Sequence, residues 1–259
     1  FIVYDCLKRI YFGFILTLCI MTFCALIGTP ANLWCLWFYF CIERKVKQTH
    51  VFLLNVIIIE LIFCLLCVAE MLNLFIFNND TYLSVTNFVL SLSWSGRPLI
   101  QTCICTEQYL AVRHPIIFLR YKGIKYRIAA VVVVWFILIG YAACNQISQT
   151  FPDPFINSVF IITLIMISFC CVSVLFALKH PGPGDTHTGR DVGNQQKRNA
   201  FNTIFSALLL ILFSYFPQAV LSVFTGCNDQ LLLKCNIIPL LTSFNIFGVM
   251  VTPLLKMYK

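Results

Sequence analysis

Chemistry in this chain would fall to a few polar side chains set among apolar ones. Glu60 stands inside FLLNVIIIELIF, Arg97 inside SLSWSGRPLI, and Glu70 ten residues beyond Glu60. Ionisable groups inside apolar runs are expensive, so they are functional candidates by default. The four histidines, His50, His114, His180 and His187, are scattered along the sequence. There is no His-Glu-x-x-His, no Gly-x-Ser-x-Gly and no pair of aspartates within an apolar run, so neither hydrolytic metal chemistry nor an activated nucleophile is expected. The reading is of a protein that is not an enzyme, with no catalytic residue, metal or cofactor. Most of the fourteen cysteines, such as Cys24, Cys64, Cys105 and Cys170, sit within apolar runs, where Cys acts as a small hydrophobe. Only Cys6, Cys144, Cys227 and Cys235 fall where an oxidising exterior would pair them.

The elements that hold these residues are dictated by composition. Of 259 residues, 60% are hydrophobic and 11% charged, against about a quarter charged in soluble domains. So few charges cannot cover that much apolar surface in water, which makes the bilayer part of the solvent. Apolar stretches of about twenty residues predict spans near 11–41, 51–77, 84–112, 127–147, 155–178, 200–224 and 237–257. The expectation is an all-α membrane protein, a single domain over 1–259 built as a seven-transmembrane-helix bundle. The first apolar run is too long for a cleavable signal peptide, so the first helix is expected to direct its own insertion. The chain opens on Phe1 and stops directly after an apolar run, and further residues are expected at both ends. The longest connection, KHPGPGDTHTGRDVGNQQKR, is rich in Gly, Pro and polar residues and too short to be a domain.

Orientation follows from the basic residues. Of 18 Lys and Arg, 14 fall on one set of connections, Lys8, Arg9 and Lys234 on the other, and Arg97 within a span. The positive-inside rule makes the rich side cytoplasmic and the N-terminus extracellular. The net charge of +8 then reflects topology and attraction to membrane lipid, not nucleic-acid binding. The sequon Asn79-Asp80-Thr81 falls on the outer side, consistent with glycosylation at Asn79.

Several polar and helix-breaking residues recur along the chain in an order that resembles the rhodopsin-like class of G-protein-coupled receptors. GTPANLW looks like that family's Gly-x-x-x-Asn signature with Asn32 as its asparagine, and Glu60 stands where its second span carries an aspartate. TEQYLAVRHP is similar to Asp-Arg-Tyr-Leu-Ala-Val-x-His-Pro and is the most specific match. Trp135 matches the fourth-span tryptophan, FSYFP with Pro217 the sixth-span Cys-Trp-x-Pro kink, and VTPLLK the Asn-Pro-x-x-Tyr of the seventh.

Departures mark a divergent member. Gln108 replaces the arginine that caps the G-protein groove, Thr252 and Lys256 replace the Asn and Tyr around Pro253, and Tyr215 replaces the tryptophan. No cysteine lies between Cys67 and Cys103, so the usual disulfide to the outer end of the third span cannot form. A bridge between Cys227 and Cys235, or from Cys6 to one of them, would order the rim instead; the alternative is free thiols. In the family the second-span carboxylate helps hold a sodium ion. Arg97 lies eleven residues before Gln108, about 16 Å along a helix, near the depth of Glu60. A buried Glu60–Arg97 ion pair replacing the sodium site is therefore expected; the alternative is Arg97 facing a water-filled cavity or polar neighbours. Gln108 is neutral, so the partnership of Glu107 that normally locks the inactive state is expected to be weak.

The resemblance places a ligand pocket between the outer halves of the helices, with Glu70, Asn87, Leu90, Ser91, Trp94, Tyr215, Gln218 and Thr242 as candidates, each of which equally suits helix packing. Leu90 and Ile246 occupy the places of the amine-receptor aspartate and the retinal-binding lysine, which argues against both ligand types. Glu107, Gln108, Tyr109, Pro217, Thr252 and Pro253 form the expected activation and transducer set. The function implied is a plasma-membrane receptor that binds an unidentified extracellular ligand and signals through a heterotrimeric G protein, with arrestin as a further partner, by repacking helices about Pro217. The alternatives are an atypical, non-coupling or scavenging receptor of the same fold, or a membrane transporter.

Overall fold

The computed structural model describes residues 12–38, 50–73, 76, 80–121, 123–148, 154–179, 187–223, 239–240 and 242–248. The elements are helices α1 (Phe12–Phe23), a π-helical turn (Cys24–Gly28), α2 (Thr29–Trp37), α3 (His50–Leu72), α4 (Asp80–Arg113), the short α5 (Pro115–Tyr121), α6 (Ile124–Ser148), α7 (Pro154–Lys179) and α8 (His187–Val223). Residues 242–248 are also helical. Among the described residues there is no strand, as expected where backbone groups must be satisfied without water.

Among the described residues, five segments are long and apolar enough to cross a membrane: Ile15–Trp37, Val51–Leu72, Ile124–Asn145, Asn157–Ala177 and Arg198–Pro217. Their exposed faces are apolar. On α6, Val131, Val134, Leu138 and Tyr141 are buried at helical spacing, while Val132, Val133, Phe136 and Ile139 on the other face are exposed. A soluble protein would not leave such a face uncovered; hydrocarbon covers it at no cost.

α4 does not belong to that set, although its 34 residues extend about 50 Å at 1.5 Å per residue. It carries Ser91, Ser93, Ser95, Arg97, Thr102, Thr106, Glu107 and Gln108. It tolerates them because it packs against α3, α6, α7 and α8 and is the common member of the bundle. Ser91 through Pro98 are buried apart from Leu92. Ser91, Ser93, Ser95 and Thr102 donate to backbone oxygens four residues back, closing their own hydrogen-bonding needs within the helix. Gly96 permits the closest approach: a Cβ there would lie 2.9 Å from Ile59 Cδ1 and 3.1 Å from Leu138 Cδ1, so the absence of a side chain lets α3, α4 and α6 meet.

Prolines shape two of the helices. Pro30, in the first turn of α2, has no N–H to give and crowds the preceding turn, and the chain takes the slack as the wide turn at Cys24–Gly28, where the Thr29 N–H bonds back to the Cys24 oxygen. Pro98 lies inside α4, so the Trp94 carbonyl four residues earlier has no helical donor. The Tyr215 hydroxyl of α8 supplies one instead, at 2.6 Å.

Candidate functional site

Two of the ionisable residues singled out in the sequence, Glu60 and Arg97, converge on the middle of the bundle. Arg97 Nε lies 3.8 Å from Glu60 Oε1, and the two residues are 7% and 0% exposed. Arg97 Nη1 also donates to the Asn245 side-chain oxygen at 3.2 Å and to the Asn245 backbone oxygen at 3.4 Å. One guanidinium thus joins α3, α4 and the 242–248 helix. Gly248 lets that last helix come close: a Cβ there would meet Ser214 Oγ at 2.1 Å and Arg97 Nη2 at 3.5 Å. The Tyr215 hydroxyl, on the Trp94 carbonyl, ties α8 to α4 one turn from Arg97. An arginine in hydrocarbon is held when its charge is matched and its donors are filled, and this centre supplies a carboxylate and two amide oxygens.

Smaller polar links surround the centre. Asn32 donates to the Gly28 oxygen at 3.0 Å and reaches Cys64 Sγ at 3.7 Å, so the Gly-x-x-x-Asn spacing closes on its own glycine. Trp135 Nε1 donates to Asn55 Oδ1 at 3.1 Å, joining α6 to α3. The Pro239 carbonyl accepts from Thr17, Thr242 and Ser243, linking α1 to the end of the bundle.

The outer candidates are dispersed. Trp94 and Tyr215 are buried at 9% and 3% exposure. Leu90 packs against the apolar cluster of Phe63, Cys67, Trp94, Tyr141 and Ile246. Ser91 accepts a hydrogen bond from Asn145 Nδ2 at 2.8 Å, a tie between α4 and α6. Asn87 is exposed, and Glu70 is half-buried on α3. Thr242 is half-buried and spends its hydroxyl on Pro239. The backbone of Gln218 lies on α8, directly after Pro217. Its side chain, together with Asn79, Cys227, Cys235, Thr252 and Pro253, lies outside the described residues.

At the opposite, basic end, Glu107 is not left loose by the neutral Gln108 beside it. Arg127, at the start of α6, donates from Nη2 to Glu107 Oε1. The carboxylate has a basic partner of another kind, supplied by the neighbouring helix. Tyr109 places its hydroxyl 3.2 Å from His114 Nε2 and its ring against Phe169.

Asn245, Arg127 and the Trp94 carbonyl were not marked by the sequence reading. Arg127 belongs to the basic stretch FLRYKGIKYR, which reads as topology, and no spacing rule says that it turns inward. Pro98 does carry a signal for the third, because a proline in a helix always leaves one carbonyl in want of a donor.

These features define an all-helical, multi-pass membrane protein with a buried ionic centre shared among several helices. Among the described residues no group of three or more His, Cys, Asp or Glu could hold a metal ion. No family model matches the chain. It is similar to human G-protein coupled receptor 35, 27% identical over an alignment of 220 residues that covers 75% of this chain and 66% of that receptor. The chain thus spans just under two thirds of that relative's length. The likeness is a distant one to a G-protein-coupled receptor.

Proposed function

We propose that the chain is a divergent rhodopsin-like receptor with seven spans, an extracellular N-terminus and a cytoplasmic basic end, which binds an extracellular ligand at the plasma membrane and signals through a heterotrimeric G protein. The observation that carries the reading is the polar centre. Arg97 joins α3, α4 and the 242–248 helix through Glu60 and Asn245, and Tyr215 adds α8 two residues before Pro217. A ligand that prefers one packing of these helices shifts the population toward it, with no covalent chemistry. The buried Glu60–Arg97 pair takes the role of the family's sodium site, so ligand binding is insensitive to sodium. The ligand contacts proposed are drawn from the outer residues Glu70, Asn87, Leu90, Ser91, Trp94, Gln218 and Thr242, Asn79 is glycosylated, and Cys227 pairs with Cys235.

A second reading, an atypical receptor that does not couple, is favoured by Gln108 and by the engagement of Glu107 with Arg127. Together they remove the arginine that caps the G-protein groove and tie α4 to α6 at the same level. Basal G-protein and arrestin signalling in cells, compared between wild type and Gln108→Arg at matched surface expression, separates the two. Basal output from wild type supports coupling. A silent wild type beside a signalling Gln108→Arg makes the protein an atypical receptor, and silence from both leaves the ligand-driven receptor and the transporter level.

A further inference from the structure

Arg127 has capacity left over at the basic end of the bundle. The residue is 5% exposed, its Nη2 is taken by Glu107, and its Nη1 has no hydrogen-bond partner among the described residues. A buried guanidinium nitrogen without an acceptor is costly. Arg127 lines an open cavity of about 260 Å³ between α3, α4, α5 and α6, whose walls include Phe52, Cys103, Leu110, Phe118 and Ala130. Tyr121 and Tyr126, in edge contact at 5.1 Å, also line it and are about half exposed.

The sequence that supplies the α5 and α6 walls of this cavity is basic. From Gln108 to Pro152 the sequence has no Asp or Glu, while Arg113, Arg120, Lys122, Lys125 and Arg127 lie in that stretch. The single carboxylate in the wall, Glu107, is already neutralised by Arg127. The occupant that fits is therefore negative at one end and apolar over the rest. The volume falls below the roughly 300–1,000 Å³ of drug-sized sites, so the walls take one alkyl chain and leave no room between them for a second.

We infer that the cavity between α3, α4, α5 and α6 is a binding site for a single-chain anionic amphiphile, whose carboxylate or phosphate accepts from Arg127 Nη1 while its chain lies along Phe52, Leu110 and Phe118. Binding completes the donors of Arg127 without displacing Glu107, and it props α5 against α4 and α6. The site lies at the other end of the bundle from the proposed extracellular ligand pocket and does not depend on that ligand. A free amphiphile and the anionic headgroup of a bilayer lipid share this chemistry.

The test uses the full chain in nanodiscs of neutral phosphatidylcholine, photolabelled with a palmitic acid that carries a diazirine in its alkyl chain. The label is expected in peptides covering residues 99–131, to be competed by dodecyl phosphate, and to fall about tenfold in Arg127→Gln, the scale of one charge-assisted hydrogen bond. Because Arg127→Gln also strips Glu107 of its partner, Ala130→Phe fills the cavity with the pair intact and is expected to abolish the same label. Displacement by dodecyl phosphate with phosphatidylserine inert at the same mole fraction supports the single-chain site; displacement by phosphatidylserine overturns the single-chain assignment. The inference is overturned by label spread over the lipid-facing helices and unchanged in both variants, or by a hexadecanol diazirine that labels residues 99–131 as well as the acid does.

Discussion

Arg97 is held by partners on two other helices, and the consequences of removing each partner differ. Glu60→Gln leaves the guanidinium without its counter-charge in a site 7% exposed, and breaking a buried pair from one side costs about 3–5 kcal/mol. Replacing both, as Glu60→Gln with Arg97→Met, removes the uncompensated charge and is expected to recover most of that loss. Melting temperatures of the detergent-solubilised single and double variants check this; equal destabilisation by single and double variants refutes the coupling. Tyr215→Phe deletes the donor to the Trp94 carbonyl that Pro98 leaves open. It is expected to cost about 1–3 kcal/mol, the penalty of a buried acceptor with no donor. The same variant combined with Pro98→Ala, which restores a helical N–H, is expected to lose less than the sum of the two changes.

At the scale of the elements, α4 is a polar helix that is stable in a membrane only because its neighbours enclose it. The enclosure is tightest at Gly96, where α3 and α6 would meet a side chain at 2.9 and 3.1 Å. Gly96→Val is expected to push these helices apart and cost about 1–3 kcal/mol through overpacking, read as a fall in melting temperature. Gly140→Val, at a position with open space around it, serves as the control and should change little. These contacts also explain how far the sequence was legible. The five apolar segments from Ile15–Trp37 to Arg198–Pro217 announce themselves through hydropathy. α4 announces itself poorly, because its environment is protein and not lipid. The inward turn of Arg127 is not legible at all, since a basic residue at a span edge has the same sequence signature whether it faces headgroups or a buried carboxylate.

For the molecule as a whole, the distribution of basic residues makes orientation a measurable expectation. Asn79 should carry a glycan, seen as a mobility shift that an endoglycosidase removes and Asn79→Gln abolishes. A cysteine placed at Asp185 should react with an impermeant maleimide only after the membrane is permeabilised. Labelling of intact cells at position 185 refutes the assigned orientation.

Composition and periodicity by themselves determined that the protein is helical and lives in the bilayer, because so few charges cannot cover this much apolar surface in water. The rarity of charge inside the spans also made Glu60 and Arg97 stand out as candidates. Which side chains meet was decided only by the tertiary structure. Arg97 reaches Asn245 across 148 positions, Tyr215 finds the Trp94 carbonyl across 121, and Glu107 finds Arg127 across 20. Local sequence sets the period and the face of each helix, but partners on different helices are selected by how those helices pack. In a low-dielectric interior that selection is steep, because each buried polar group must find a partner or pay for its absence.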